Sequence, residues 1–100
     1  MTFGSWLSDQ RERVGLTQRA LARRCGITAG YIATIEADIA EPPPAKTCKV
    51  IARAIGIAWE DVWQRSLAAR LRRWLRRQGH SGIPEEELVQ FVKKILSTGR

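Results

Sequence analysis

The sequence predicts an all-α fold, and three observations lead there. Every apolar series repeats at helical spacing, the strict alternation that a half-buried strand needs is absent, and glycine or proline interrupts the chain at helix-length intervals. With 100 residues, 44% of them hydrophobic, the chain can build one core, or one core with a small helical appendage.

Phe3 to Val14 forms a first helix, with Ser5 as its candidate cap, Phe3, Trp6, Leu7 and Val14 as its apolar stripe, and Gly15 as its end. Thr17 then N-caps a second helix that carries Leu21 and Cys25 at i, i+4, with Ala22 small enough to let another helix approach. Gly26 can take the left-handed conformation that ends this helix, and Ile27 is placed to plug the corner that follows. Thr28 caps a third helix, which buries Ile32 and Ile35 and leaves Ala29, Gly30, Ala33 and Thr34 facing outward. Ala37 to Pro44 is a loop, because three consecutive prolines forbid a continued helix. Pro44 suits a first helical residue, so Ala45 to Ala54 is a fourth helix, with Val50, Ile51, Ala54 and Ile55 on its core side and Gly56 as its stop.

A fifth helix starts at Trp59, with Val62 and Trp63 inward, and Arg65 to Gln78 either continues it or begins a sixth. In that stretch Leu67, Leu71, Trp74 and Leu75 form a narrow apolar seam, and six arginines cover the rest. Residues 79–82 are a flexible joint, and Pro84 with Glu85, Glu86 and Glu87 starts a last helix whose acidic first turn suits the positive end of the helix dipole. Leu88, Val92, Ile95 and Leu96 line one side of it, with Val89 and Phe91 adding apolar width. The expected organisation is a five-helix unit over residues 1–64 and a helical extension of one or two helices over residues 65–100.

The net charge of +7 is uneven: residues 1–64 hold eight Lys/Arg against seven Asp/Glu, whereas residues 65–100 hold nine against three. A basic balance of this size suits a polyanion, nucleic acid first and an anionic membrane surface second. No apolar run of membrane-spanning length and no signal-peptide pattern is present, so a cytoplasmic protein is expected. Cys25 and Cys48 lie in apolar helical patterns without metal-ligand spacing, which predicts buried free thiols and no metal. His80 is the only histidine and has no carboxylate pair or nucleophile around it, so neither an enzyme nor a cofactor is expected.

The series Gln18-x-x-Leu21-Ala22-x-x-x-Gly26-Ile27-Thr28-x-x-x-Ile32-x-x-Ile35-Glu36, followed by Pro42, Ile51, Ala52, Ala54, Ile55, Gly56, Ile57 and Val62, resembles the Cro and lambda-repressor-like (Xre) helix-turn-helix family. The resemblance implies a five-helix domain that binds double-stranded operator DNA as a homodimer, with the third helix, residues 28–36, in the major groove. It places Gln18 at DNA from the start of the second helix and Thr28, Ala29, Gly30, Tyr31 and Thr34 at bases or phosphates; Thr17, Arg19 and Lys46 are further expected DNA-binding residues. Arg11 and Glu36 match a pair that ties the first helix to the third. The chain departs from the family pattern in lacking Gln, Arg or Lys at positions 29, 30 and 34, and in placing Asp38 where a glycine usually ends the third helix. Base recognition is then expected from thymine methyl contacts, Tyr31, Thr34 and DNA shape.

Leu71, Trp74, Leu75, Leu88, Phe91, Val92, Ile95 and Leu96 are the expected dimerisation residues, and the arginines of residues 65–77 the expected source of nonspecific DNA affinity. The expected function is a transcriptional repressor. The alternatives are an autorepressing antitoxin with a toxin or other regulator as protein partner, an interaction module that has lost specific DNA binding, and attachment of the basic helix to a membrane surface.

Overall fold

The computed structural model describes residues 1–98, and those residues form six helices and no strand. They are α1 (Phe3–Arg13), α2 (Gln18–Cys25), α3 (Ala29–Glu36), α4 (Ala45–Ile55), α5 (Trp59–Arg77) and α6 (Glu85–Thr98). The all-α class and the C-terminal helical extension are those expected from the sequence; the extension's last two residues, 99–100, lie outside the described residues.

Helices α2 and α3 have 8 residues each. Helices that short do not persist alone in water, so the core holds them. Leu7, Leu21, Ile32, Ile51 and Val62, one from each of the first five helices, have no exposed surface. Each such side chain contributes about 1.5–3 kcal/mol on burial, more than helix propensity supplies to either helix. Cys25 and Cys48 are buried free thiols of this core, and burial pushes the Cys48 thiol up to about 11, which leaves it unreactive.

The first helix is capped three residues earlier than the sequence suggests. Thr2, not Ser5, is the N-cap: its hydroxyl accepts from the Ser5 backbone N–H at 3.2 Å, and the Ser5 hydroxyl accepts from the Thr2 backbone N–H at 3.0 Å. Phe3 and Gly4 are already helical and buried, so Ser5 lies inside the first turn. Val14 is also not in the core stripe, because it falls past the last helical turn and stands exposed. Pro44 has extended ψ of 168° and precedes α4 as its N-cap instead of opening it.

Helix α5 settles the choice left open after Trp63, since its 19 residues run without a break across positions 64 and 65. Small side chains let it serve two neighbours at once. Ala69 packs into the main core, while the adjacent Ala68 joins Leu88, Val89 and Val92 of α6 in a second cluster, flanked by Leu67, Leu71 and Leu75.

The proline loop accounts for two of the six arginines on α5. Three prolines have no N–H with which the loop could pair its own carbonyls, and α5 supplies the donors. Arg70 Nη2 donates to the Pro42 carbonyl at 2.7 Å, Arg73 Nη2 to Ala40 at 2.7 Å and Asp38 at 3.0 Å, and the buried Ser66 hydroxyl to Pro43. Arg65 forms an ion pair with Glu86 at 3.1 Å and lies over the Trp6 ring, and that pairing holds the Glu86 carboxyl below the usual carboxylate range. Arg65, Arg70 and Arg73 thus bind groups of the protein itself.

Asp38 has φ of 58°, the left-handed region that the family pattern gives to glycine. Its carboxylate accepts the Gly4 backbone N–H at 2.9 Å and the Thr2 hydroxyl at 2.6 Å, so it caps α1 from 34 residues away. Asp38→Gly should relieve the backbone, worth about 1–2 kcal/mol, yet lose charge-assisted bonds worth about 1.5–3 kcal/mol each. A net loss of about 1 kcal/mol or more, read as a fall in melting temperature, is expected. A rise would show that the left-handed conformation governs the position.

Candidate nucleic-acid interface

Two short helices and the turn between them present the surface. Thr17 caps α2 by accepting the Ala20 N–H at 3.0 Å, and Thr28 caps α3 by accepting the Tyr31 N–H at 3.1 Å. Between them Gly26 adopts φ of 69°, and the Ile27 N–H reaches back to the Ala22 carbonyl at 3.0 Å, which fixes the angle at which α3 leaves the turn.

The start of α3 points to solvent. Thr28 and Gly30 are exposed, and a Cβ built on Gly30 meets no atom within 4 Å. Ala29, Tyr31, Ala33 and Thr34 are half-buried. Ala29 and Tyr31 rest partly against the core, so the edge is narrower than the expected outward set, and its free tip is Thr28 with Gly30. The Thr34 hydroxyl donates to the Tyr31 carbonyl at 2.9 Å, which leaves its oxygen available only as an acceptor from outside. Arg19 and Lys46 are exposed near the starts of α2 and α4.

Glu36, at the far end of α3, gathers three elements. Its carboxylate accepts from Arg11 Nε at 2.7 Å and Arg11 Nη2 at 3.0 Å, a bidentate pair, and from the Gln18 amide at 2.9 Å. The two charged side chains are 12% and 6% exposed, and Arg11 is held more strongly protonated chiefly by its bond to Glu36. Arg11 also donates to the Leu16 carbonyl at 2.8 Å, closing the α1 to α2 turn. The pair expected between the first and third helices is present, and Gln18 has joined it. That third member was not read from the sequence, because an amide at the start of one helix and a carboxylate at the end of another carry no local signal of meeting.

The eight expected dimerisation residues divide into two groups. Leu88 and Val92 are buried against α5, and Leu71 and Leu75 are half-buried beside them. Trp74, Phe91, Ile95 and Leu96 are exposed by 47–54%.

A family model described as helix-turn-helix matches residues 7–62, which run from within α1 through α2, α3 and α4 to the start of α5. No curated protein and no solved structure matches the chain. No helix among the described residues is long and apolar enough to cross a membrane. A capped helix pair with a left-handed glycine turn, the Arg11 to Glu36 tie and a match over more than half of the sequence lead to one conclusion: the chain belongs to the lambda-repressor-like (Xre) helix-turn-helix family and is a DNA-binding regulator of that type.

Proposed function

We propose that the protein is a repressor that binds a palindromic operator as a homodimer, with the N-terminal half of α3 in the major groove. The observation that carries this reading is the exposed, capped start of α3, whose only outward groups are small or uncharged and fit against base edges and thymine methyls. Arg19 and Lys46 supply phosphate contacts in this reading, and Trp74, Phe91, Ile95 and Leu96 supply the dimer contact. Those four leave more apolar surface open than a monomer's last two helices need to expose.

Selection from random duplexes with the full chain tests both halves of the proposal. A recovered palindrome with half-sites about 34 Å apart supports it. Tyr31→Ala and Thr34→Ala are expected to change the preferred base pairs, whereas Arg19→Ala and Lys46→Ala should weaken all sequences alike and each lower the salt slope by about 0.9. An unchanged preference after both α3 substitutions would remove α3 from the major groove. For the dimer, Phe91→Glu with Ile95→Glu should give a folded monomer by sedimentation. Substitution is the right probe, because ending the chain at Gln64 would cut α5 and strip Ser66 and Ala69 from their partners. The uncharged edge of α3 also favours a second reading, an interaction module, which failure to bind any duplex at low salt would select.

A further inference from the structure

Thr34 is held in place through the loop that follows α3. Its carbonyl accepts the Ile39 N–H at 2.9 Å and the Ala40 N–H at 3.1 Å, so that loop folds back onto it. The loop is fastened in turn from α5, where Arg73 Nη2 donates to the carbonyls of Ala40 at 2.7 Å and Asp38 at 3.0 Å. A side chain on backbone tied in this way has its position set before any partner arrives.

The direction of the hydrogens divides the polar groups of α3 into two kinds. At its start the Thr28 oxygen accepts the Tyr31 N–H, which leaves the hydroxyl hydrogen for an outside acceptor. The N–H groups of Ala29 and Gly30 are the first two of the helix and have no partner within it. All three are donors, and they suit a phosphate. One turn later the polarity reverses. The Thr34 hydroxyl gives its hydrogen to the Tyr31 carbonyl at 2.9 Å, and the oxygen that remains is an acceptor. Donating outward would break that bond, whereas accepting keeps it and is strengthened by it. Ala29, Gly30 and Ala33 have no polar side-chain atom, so Thr34 and the Tyr31 phenol are the side chains between Thr28 and Glu36 that can hydrogen-bond a base. The phenol can take either part.

We infer that Thr34 determines specificity by acceptance: its hydroxyl oxygen takes a hydrogen from an exocyclic amino group in the major groove, adenine N6 or cytosine N4. The inference rests on α3 lying in that groove. A pair that turns guanine O6, thymine O4 or a purine N7 to the same point sets lone pair against lone pair and is rejected. Each base pair has one amino group in the major groove, and its place depends on which strand holds the adenine or the cytosine. A lone acceptor at a fixed point therefore separates A·T and C·G from T·A and G·C, a degenerate choice that an arginine or glutamine reader would not make.

The test uses the full chain and the duplex that it selects. Thr34→Val keeps the branched shape and removes the hydroxyl, so the pair at which it loses preference is the pair that Thr34 faces. There the parent should prefer adenine and cytosine to guanine and thymine on one strand. Purine in place of that adenine, or 2-pyrimidinone in place of that cytosine, removes the amino group and should weaken the parent about fivefold or more, the effect of one unpaired acceptor. The same change should leave Thr34→Val unmoved, and Thr34→Ser should respond as the parent does. A 7-deazapurine, which removes N7, should leave the parent within about twofold. These analogues are also scanned on the parent at every pair of the half-site, so the test does not depend on a variant that folds. Loss of N7 that weakens the parent while loss of the amino group does not, an amino effect that persists in Thr34→Val, or no pair altered by Thr34→Val overturns the inference and leaves α3 in the groove. A selection that recovers no preferred sequence overturns it together with the reading on which it rests.

Discussion

A chain carrying Gly4→Ala is expected to melt far below the parent, although the change adds one methyl group and favours helix. The reason is where α1 crosses the end of α3. A Cβ on Gly4 would lie 2.3 Å from the Glu36 carbonyl oxygen and 2.7 Å from that of Ile35. Both obstacles are backbone, so no rotamer change can make room. Helix propensity would contribute up to about 1 kcal/mol in favour of alanine, and it is outweighed by overpacking, which costs about 3 kcal/mol at its usual upper end. At about 4–8 °C per kcal/mol for a domain of this size, the net loss of about 2 kcal/mol lowers the melting temperature by roughly 8–16 °C. The displacement would also pull the Gly4 N–H from Asp38. A melting temperature within error of the parent's would show that the two helices can part without loss.

Glu36→Ala should be as severe by a different route. Arg11, 12% exposed, and the Gln18 amide would both lose their acceptor, and removing one partner of a buried pair costs about 3–5 kcal/mol. Folding should fail before DNA specificity changes, so the melting curve, not the binding preference, is the quantity to follow. Arg11→Met combined with Glu36→Leu replaces the pair by apolar side chains of similar reach and should recover much of the loss. If Glu36→Ala melts with the parent, the network carries no net stability and its conformational role would have to be sought in DNA binding alone.

The two substitutions also mark where the sequence was legible and where it was not. Local chemistry read correctly: Thr17 and Thr28 cap their helices, Gly26 turns left-handed, and Asp38 takes the left-handed place expected of it. These follow from a few neighbouring residues, so spacing along the chain is enough to find them. Ser5 lies one helical turn past the cap: both Thr2 and Ser5 have hydroxyls, and only the burial of Phe3 and Gly4 decides between them. The partner of the Asp38 carboxylate, the close approach at Gly4 and the service of Arg70 and Arg73 to the proline loop depend on which faces meet across 28 or more residues. Glu85 belongs with them, since its three-carboxylate context describes a surface helix start and its burial comes from α1 and α5. For the candidate interface, the family pattern named the residues, and the geometry added that Thr34 has its hydroxyl proton engaged and that Gln18 belongs to the Glu36 network.

The open ground around Gly30 bears on how such a regulator acquires new targets. A Cβ placed there would meet no atom of another element within 4 Å, and its φ lies in the ordinary range. Helix propensity would rise slightly with most residues that replace glycine, proline excepted. An arginine or glutamine at this one position could thus add a reader of guanine or adenine, and the protein's vocabulary of operators could be rewritten by drift on a tip that the core does not police.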